Sequence, residues 1–259
     1  MIRQVFFPRA FLFLLSATLF ALAPSDAQSG SLEAAPPGPQ AKGGDPAPWV
    51  QTNGPSGGLI NAVEIHPGQP DVLYAGGAGG GVFKTVDRGT TWRMLGQIVS
   101  PSQHIHDILI SPDSPQTLYA LAGRLYKSAD GGQSWRVMDG ELWFSCVAMD
   151  PADSFTLIGG TWDGHVYHSA DGGENWTDVT GDLTGDGLRD VAIGASHEFW
   201  AGTANGSDGR LYHTTDGGVS WHEMDIGGRT ETDIHTLFVK PGHGVPEPVL
   251  IVSFGIILP

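Results

Sequence analysis

Short apolar stretches alternate with polar turns along most of the chain. From about residue 59 onward, runs such as VLYAGG, IHDILIS and FSCVAM are separated by segments rich in Gly, Pro, Asp and Ser. Apolar runs of this length, bounded by turn residues at short intervals, are typical of β-strands. The 38 Gly and 18 Pro in 259 residues fit many short strands joined by tight turns. The pattern predicts an all-β fold.

The strands repeat as one unit, marked by an eight-residue box with Ser or Thr first, Asp third, Gly fifth and Trp eighth. The copies are TVDRGTTW, SADGGQSW, SADGGENW and TTDGGVSW, and their first residues, Thr85, Ser128, Ser169 and Thr214, are 43, 41 and 45 residues apart. Each interval holds four apolar strands, which is the content of one β-propeller blade. A single sheet of this kind cannot bury both faces, so the blades are expected to stack around a common axis.

The box is predicted to form the tight hairpin between the third and fourth strands of each blade. Its Asp accepts hydrogen bonds from turn amides, its Gly allows positive φ angles, and its Trp packs between blades. Because strands alternate in direction, these hairpins lie on the disc face opposite the B–C and D–A loops, where propellers usually bind ligands. We therefore predict a structural role, rather than four ligand sites, for Thr85, Asp87, Gly89, Trp92, Ser128, Asp130, Gly132, Trp135, Ser169, Asp171, Gly173, Trp176, Thr214, Asp216, Gly218 and Trp221.

The N-terminus has the pattern of a cleaved signal peptide. Two arginines precede an apolar run over residues 11–23, and Ser25 and Ala27 are the small residues that signal peptidase requires. We assign residues 1–27 to the signal peptide, 28–48 to a flexible Pro/Gly-rich linker, and 49–259 to the propeller. The mature protein is therefore predicted to be secreted or periplasmic.

Net charge narrows the choice of binding partners, and the cysteine content limits disulfide formation. Without the signal peptide, 11 basic and 27 acidic residues remain, a net charge of −16. Such a surface repels phosphate backbones and anionic lipids, so nucleic acid and membrane surfaces are excluded as preferred partners. No apolar stretch after the signal peptide is long enough to span a membrane. The single cysteine, Cys146, excludes an internal disulfide.

The last 30 or so residues contain two strands of a fifth blade, TDIHTLFVKP and PVLIVSFG, and no fifth box. Trp49 aligns with the box tryptophans, so an N-terminal strand could complete this blade and close a five-bladed ring. A fragment of a larger propeller explains the same pattern.

Residues 49 to about 240 resemble the BNR or Asp-box repeat proteins, which include sialidases, the sortilin ectodomain, xyloglucanases and a photosystem II assembly factor. The opening, from Trp49 to Lys84, resembles the xyloglucanase and assembly-factor types. The resemblance implies a propeller fold and says little about activity, because the box is structural in all of these proteins. Where xyloglucanases carry the catalytic base this chain has Ala78, and the Arg-Ile-Pro motif of sialidases is missing.

The candidate ligand-binding residues lie on the B–C and D–A loops. Trp143 and Trp162 would stack on a sugar ring or a protein side chain, unless they belong to the core between blades. Asp163 and Asp208 are candidate carboxylates, although Asp-Gly is also a common hairpin turn. We predict an exported, non-catalytic propeller that binds a glycan or an extracytoplasmic protein. The alternative is a glycoside hydrolase, or a truncated remnant of one.

One segment departs from the repeat and resembles the Asp-rich calcium loops of FG-GAP repeats. Asp182, Thr184 and Asp186 alternate, Gly187 follows, and Asp190 comes at the ninth position. With the backbone carbonyl of Leu188, these residues would supply oxygen ligands for Ca²⁺. Thr184 replaces an acid and Ile193 occupies the twelfth position, so a plain Asp/Gly turn is the alternative.

Overall fold

The structure is a computed structural model. It describes residues 54–55, 59–99, 104–138, 141–183, 187–194, 197–203, 209–225, 232–240 and 249–256. The chain divides into two units, Met1–Val50 and Gln51–Pro259, and every described residue belongs to the second. The predicted signal peptide and linker lie outside the described residues.

All the regular elements among the described residues are β-strands. They are β1 (Ile60–Ile65), β2 (Leu73–Gly77), β3 (Gly81–Thr85), β4 (Arg93–Gln97), β5 (Asp107–Ile110), β6 (Leu118–Ala122), β7 (Arg124–Ser128), β8 (Arg136–Val137), β9 (Phe144–Asp150), β10 (Asp153–Thr161), β11 (Val166–Ser169), β12 (Thr177–Asp178), β13 (Leu188–Ile193), β14 (Phe199–Thr203), β15 (Leu211–Thr214), β16 (His222–Met224), β17 (Thr232–Lys240) and β18 (Val249–Ile256). Within this part of the chain, no helix is long and apolar enough to cross a membrane.

The strands form four antiparallel sheets of four strands, each in sequential order, and one antiparallel pair. Blade 1 comprises β1–β4, blade 2 β5–β8, blade 3 β9–β12 and blade 4 β13–β16, while β17 and β18 form the partial blade 5. The predicted all-β propeller architecture, with four clear blades and part of a fifth, is confirmed.

Consecutive blades pack face to face through their first two strands. Between blades 1 and 2, Tyr74 of β2 and Ile108 of β5 share one buried apolar cluster. Small residues in the second strand allow the next blade to approach closely. A Cβ on Gly76 would lie 2.4 Å from a side-chain atom of Ile105, which enters blade 2, and one on Gly202 would lie 2.5 Å from Ile234 of blade 5. Substitution at these glycines would therefore push neighbouring blades apart.

The two ends of the sheets are built differently, and we call them the hairpin face and the loop face. On the hairpin face, the fourth box residue of each blade donates its N–H to a carbonyl in the A–B turn or, in blade 3, near the start of β10. These bonds are Arg88 to Asp71 (3.1 Å), Gly131 to Gln116 (2.9 Å), Gly172 to Phe155 (2.8 Å) and Gly217 to His197 (3.0 Å). On the loop face, D–A segments bond to B–C turns of the preceding blade, as in Phe144 N–H to the Gly123 carbonyl at 2.9 Å.

Candidate functional site

Each box hairpin is held by hydrogen bonds among its own residues. In blade 2, the buried Ser128 hydroxyl accepts the N–H groups of Asp130 (3.3 Å) and Gly132 (2.8 Å) and donates to Asp130 Oδ1 (2.8 Å). The Asp130 carboxylate also accepts bonds from the backbone of Gln133 and from the backbone and hydroxyl of Ser134. The equivalent Ser/Thr–Asp–Gly bonds recur in the other three boxes. The aspartate oxygens are therefore occupied within the hairpin.

These bonds stabilise the ionised form of the box aspartates. The pKa of Asp87 falls to about 2, chiefly through the Thr91 hydroxyl, and that of Asp130 falls to about 2 through the Ser134 hydroxyl. The side-chain amide of Asn175 lowers the pKa of Asp171 to about 2, and the Ser220 hydroxyl lowers the pKa of Asp216 below its ordinary range. This geometry fits a scaffold role and leaves little of each carboxylate for a ligand.

Three of the box tryptophans, Trp135, Trp176 and Trp221, lie where blades meet. Trp135 packs against the cluster between blades 1 and 2, and Trp176 against the cluster between blades 2 and 3. Like Trp92, both donate the indole N–H to the carbonyl of their own box glycine at 3.1 Å. Trp221 differs, because its indole N–H bonds to the carbonyl of Val179 in blade 3 at 2.9 Å. The fourth box thus ties its blade to the preceding one.

The predicted calcium loop is only partly described, since Thr184 and Asp186 lie outside the described residues. Asp182 Oδ1 accepts the backbone N–H of Trp221 at 2.8 Å, and Leu188 is buried. Asp190 accepts the N–H of Val191 at 2.9 Å and of Leu237 at 2.7 Å. Among the described residues, no group of three His, Cys, Asp or Glu side chains is close enough to hold a metal ion. Calcium binding by this loop stays a prediction.

A second set of carboxylates lies on the first strands of the blades. Asp107 in β5 and Asp190 in β13 occupy equivalent positions, each accepting the N–H of the following residue. Burial raises the pKa of Asp107 to about 7 and that of Asp190 to about 6, and burial of Glu64 in β1 raises its pKa to about 7. The negative charges of Asp190 and Glu64 add to the shift at Asp107. These carboxyl groups can exchange a proton near neutral pH.

Trp143 and Trp162 both lie at the loop end of blade 3. Phe144 of β9 pairs with Thr161 of β10, and the two tryptophans come directly beyond this last pair. They are 45% and 58% exposed, whereas neighbouring Phe144 is 2% exposed. Phe144 is therefore part of the core between blades, whereas both indoles are accessible from the loop face.

An arginine from each adjacent blade stacks on these indoles. The guanidinium carbon of Arg124, at the start of β7 in blade 2, lies 5.1 Å from the centre of the Trp143 ring. That of Arg189, in β13 of blade 4, lies 5.2 Å from the Trp162 ring. We call these four residues the Trp–Arg row. Such cation–π contacts restrain the orientation of an exposed indole. The sequence indicated the tryptophans but not their arginine partners, which come from other blades.

Asp163 lies in the tight turn that follows Trp162. Its side chain is exposed, Gly164 has a φ of 88°, and Thr161 and His165 exchange backbone and hydroxyl hydrogen bonds across the turn. The structure therefore places Asp163 beside the Trp–Arg row in a position that also suits turn formation. The other candidate carboxylate, Asp208, lies outside the described residues.

Comparison with known proteins supports the same architecture. The FG-GAP repeat family matches residues 175–213. The structure of an ancestral GH74 enzyme is similar over 69% of this chain, with a TM-score of 0.57 and 20% sequence identity. A GH74 xyloglucanase from Xanthomonas campestris is similar over 74% of this chain, also with a TM-score of 0.57 and 20% identity. A structure of YCF48 bound to D1 peptide is similar over 80% of this chain, with a TM-score of 0.56 and 18% sequence identity. No curated protein matches the chain.

With the blades described above, these similarities identify a β-propeller repeat protein. The chain spans 25% and 34% of the two GH74 enzymes and 64% of YCF48. Identities of 18–20% establish the fold alone.

Proposed function

We propose that this chain is an exported, non-catalytic propeller of the BNR/Asp-box type that binds a glycan or an extracytoplasmic protein through its loop face. The Trp–Arg row carries this proposal. It combines two exposed indoles, one beyond the end of each of two paired strands, with two guanidinium groups that stack on them. Flat apolar rings bordered by hydrogen-bond donors suit both sugar rings and peptide side chains.

Two relatives of the fold make both ligand classes reasonable. One is described as a xyloglucanase and the other was solved with a bound peptide, so propellers of this shape serve glycan chemistry and peptide binding. The box hairpins, by contrast, occupy their aspartates internally and lie on the opposite face. The exposed aromatic and charged groups of the loop face take no part in the box hairpins, which makes this face the candidate binding surface.

A binding screen with two matched variants tests this proposal. Wild type, Trp143→Ala plus Trp162→Ala, and Phe155→Ala would be compared on glycan and peptide arrays. Phe155 is a suitable control because it is 62% exposed in the same blade but lies at the hairpin end. We expect the double variant to lose binding by at least about tenfold, with Phe155→Ala unchanged. Equal binding by all three proteins would contradict the proposal.

Glycoside hydrolysis is the second candidate function, and one observation favours it. Asp107 begins β5 directly after a D–A segment, and its pKa of about 7 suits a general acid at neutral pH. Asp190 is less suited, because both its oxygens accept backbone N–H groups. A screen on β-glucans and sialosides would decide between the two functions. Turnover that disappears in Asp107→Asn would establish the hydrolase, whereas no turnover above background fits the binding protein.

A further inference from the structure

A basic residue stands at the start of the third strand in blades 2, 3 and 4. It is Arg124, His165 and Arg210 in turn, each four positions before the first residue of its box. His165 Nδ1 lies 3.3 Å from a carboxylate oxygen of Asp178 in blade 3. The Arg210 guanidinium lies 3.5 Å from a carboxylate oxygen of Glu223 in blade 4. Each acid comes from the fourth strand, across from the tyrosine that follows the basic residue by two positions. In blades 3 and 4 the repeat therefore pairs the basic side chain with a carboxylate at a fixed position.

Blade 2 has the basic residue without the acid. Val137 occupies the position across from Tyr126, where blades 3 and 4 have their carboxylates. In the part of the chain that the structure describes, Arg124 makes no ion pair, and its Nε atom is buried without a hydrogen-bond partner. A buried donor without an acceptor is unfavourable, and the planar fork of a guanidinium matches a carboxylate. Arg124 is therefore an anion-binding group whose charge the chain itself leaves uncompensated.

This arginine belongs to the Trp–Arg row on the loop face. Its guanidinium carbon lies 5.1 Å from the centre of the exposed Trp143 ring, and the Arg189 guanidinium repeats the arrangement on Trp162. Asp163, which follows Trp162, has an exposed side chain that can accept hydrogen bonds from hydroxyl groups. The row thus combines two indoles for sugar rings, guanidinium donors for carboxylates and an acceptor for hydroxyl groups.

We propose that the ligand of the Trp–Arg row is a glycan whose repeating units carry carboxylate groups, as hexuronic acids do. This inference rests on the ligand-binding function proposed above and names its ligand class. The indole–guanidinium pair occurs twice at the loop end of blade 3, and a repeating acidic sugar presents a ring and a carboxylate to each pair. Arg124 binds one carboxylate, because no acid of the chain competes for it. A peptide of acidic side chains fits less well, since it brings Asp163 further negative charge in place of hydroxyl donors.

The test compares an oligogalacturonate with its fully methyl-esterified form, which keeps the sugar rings and hydroxyl groups but has no charge. Titration calorimetry in about 0.15 M sodium chloride screens the repulsion between the acidic protein and the acidic sugar beyond about 8 Å. We expect wild type to bind the charged form at least about tenfold more tightly, and Arg124→Gln to lose this preference. Arg136→Gln is the matched control, because Arg136 lies in the same blade and pairs with Glu174. It should keep the preference.

A second variant tests the charge of Arg124 without removing its side chain. Val137→Glu places an acid where blades 3 and 4 have theirs, and Val137 is 40% exposed, so the fold tolerates the change. The new carboxylate should pair with Arg124, leave Trp143 in place and abolish the preference for the charged oligosaccharide. If Arg124 served packing alone, Arg124→Gln would weaken both forms equally and Val137→Glu would weaken neither. Either result overturns the inference.

The remaining outcomes separate this inference from the proposed function. Wild type that binds both forms equally, or that binds a glutamate-rich peptide more tightly than the oligogalacturonate, overturns the inference and leaves a ligand-binding propeller. Wild type that binds no glycan and no peptide overturns the inference together with the proposed function.

Discussion

The carboxylates of the box hairpins and those of the first strands have opposite electrostatic surroundings. Asp130 is partly exposed, yet hydroxyl and amide donors of its own hairpin hold its pKa at about 2. Asp107 receives one backbone N–H bond, and burial raises its pKa to about 7. The difference shows that the number of donors around a carboxylate, together with its solvation, determines whether the charged form stabilises this fold.

The consequence is a stability maximum at mildly acidic pH. A carboxyl group with a lowered pKa stabilises the fold above about pH 4, where it is ionised even in the unfolded chain, and this contribution is lost as the pH falls. A carboxyl group with a raised pKa contributes fully only below about pH 4, where it is protonated in the unfolded chain as well, and this contribution is lost as the pH rises through its folded-state pKa of about 6 or 7. The two contributions are therefore largest together at about pH 4.

The largest expected effect comes from removing the hydroxyl on which a box hairpin depends. Ser128→Ala leaves the N–H groups of Asp130 and Gly132 without their buried acceptor, so we expect a loss of about 1–3 kcal/mol in unfolding free energy. Ser134→Ala is the control, because its exposed hydroxyl bonds only to the outer Asp130 oxygen and should cost less than about 0.5 kcal/mol. Chemical denaturation measures both. Equal effects would show that the buried hydroxyl is not what organises the hairpin.

The alkaline side of the stability curve should be governed by the first-strand carboxylates. The raised pKa values of Glu64, Asp107 and Asp190 predict a lower melting temperature at about pH 8 than at about pH 5. One pKa unit corresponds to about 1.4 kcal/mol, or roughly 2–4 °C in a domain of this size. Asp107→Asn, which cannot ionise, should reduce this difference, and Asp163→Asn in an exposed turn should not. A melting temperature that is constant from about pH 5 to about pH 8 would contradict the assigned pKa values.

The acid side should show the smallest effect, because the box aspartates are at least partly exposed and are screened by solvent. We expect stability to decline as the pH falls from about 4 towards 2, while these groups become protonated. Asp87→Asn should weaken this decline in a pH-resolved melting series, whereas Asp107→Asn should leave it in place. If both variants follow wild type, other carboxylates control acid unfolding.

The sequence was sufficient to predict the blades and the form of their hairpins. Each box is a local structure, with hydrogen bonds that join residues two to four positions apart, such as Ser128 with Asp130 and with Gly132. Strands alternate apolar and polar residues with a period of two, so four strands per repeat could be read directly from the pattern. Trp143 and Trp162 could be placed at one end of blade 3 from the same alternation.

The sequence pattern could not predict the contacts between blades. Asp190, a predicted calcium ligand, accepts the N–H of Leu237, 47 residues away, and Asp182, another predicted ligand, accepts that of Trp221, 39 residues away. The arginines that stack on the tryptophans also come from neighbouring blades. A repeat pattern gives the internal geometry of a blade, but the angle and offset between blades decide which distant groups meet.

By itself the sequence determined the repeat, the four-stranded blades and the local bonding of each box, because short-range hydrogen bonds and the two-residue period of a strand depend only on neighbouring residues. Only the tertiary structure decided which carboxylates are desolvated and which indoles stay accessible. It also decided that Val63 is exposed where Ile108, Val147 and Val191 are buried. These properties depend on what lies across the gap between two sheets. An apolar side chain at the same position of the same repeat is core or surface according to whether another blade covers it.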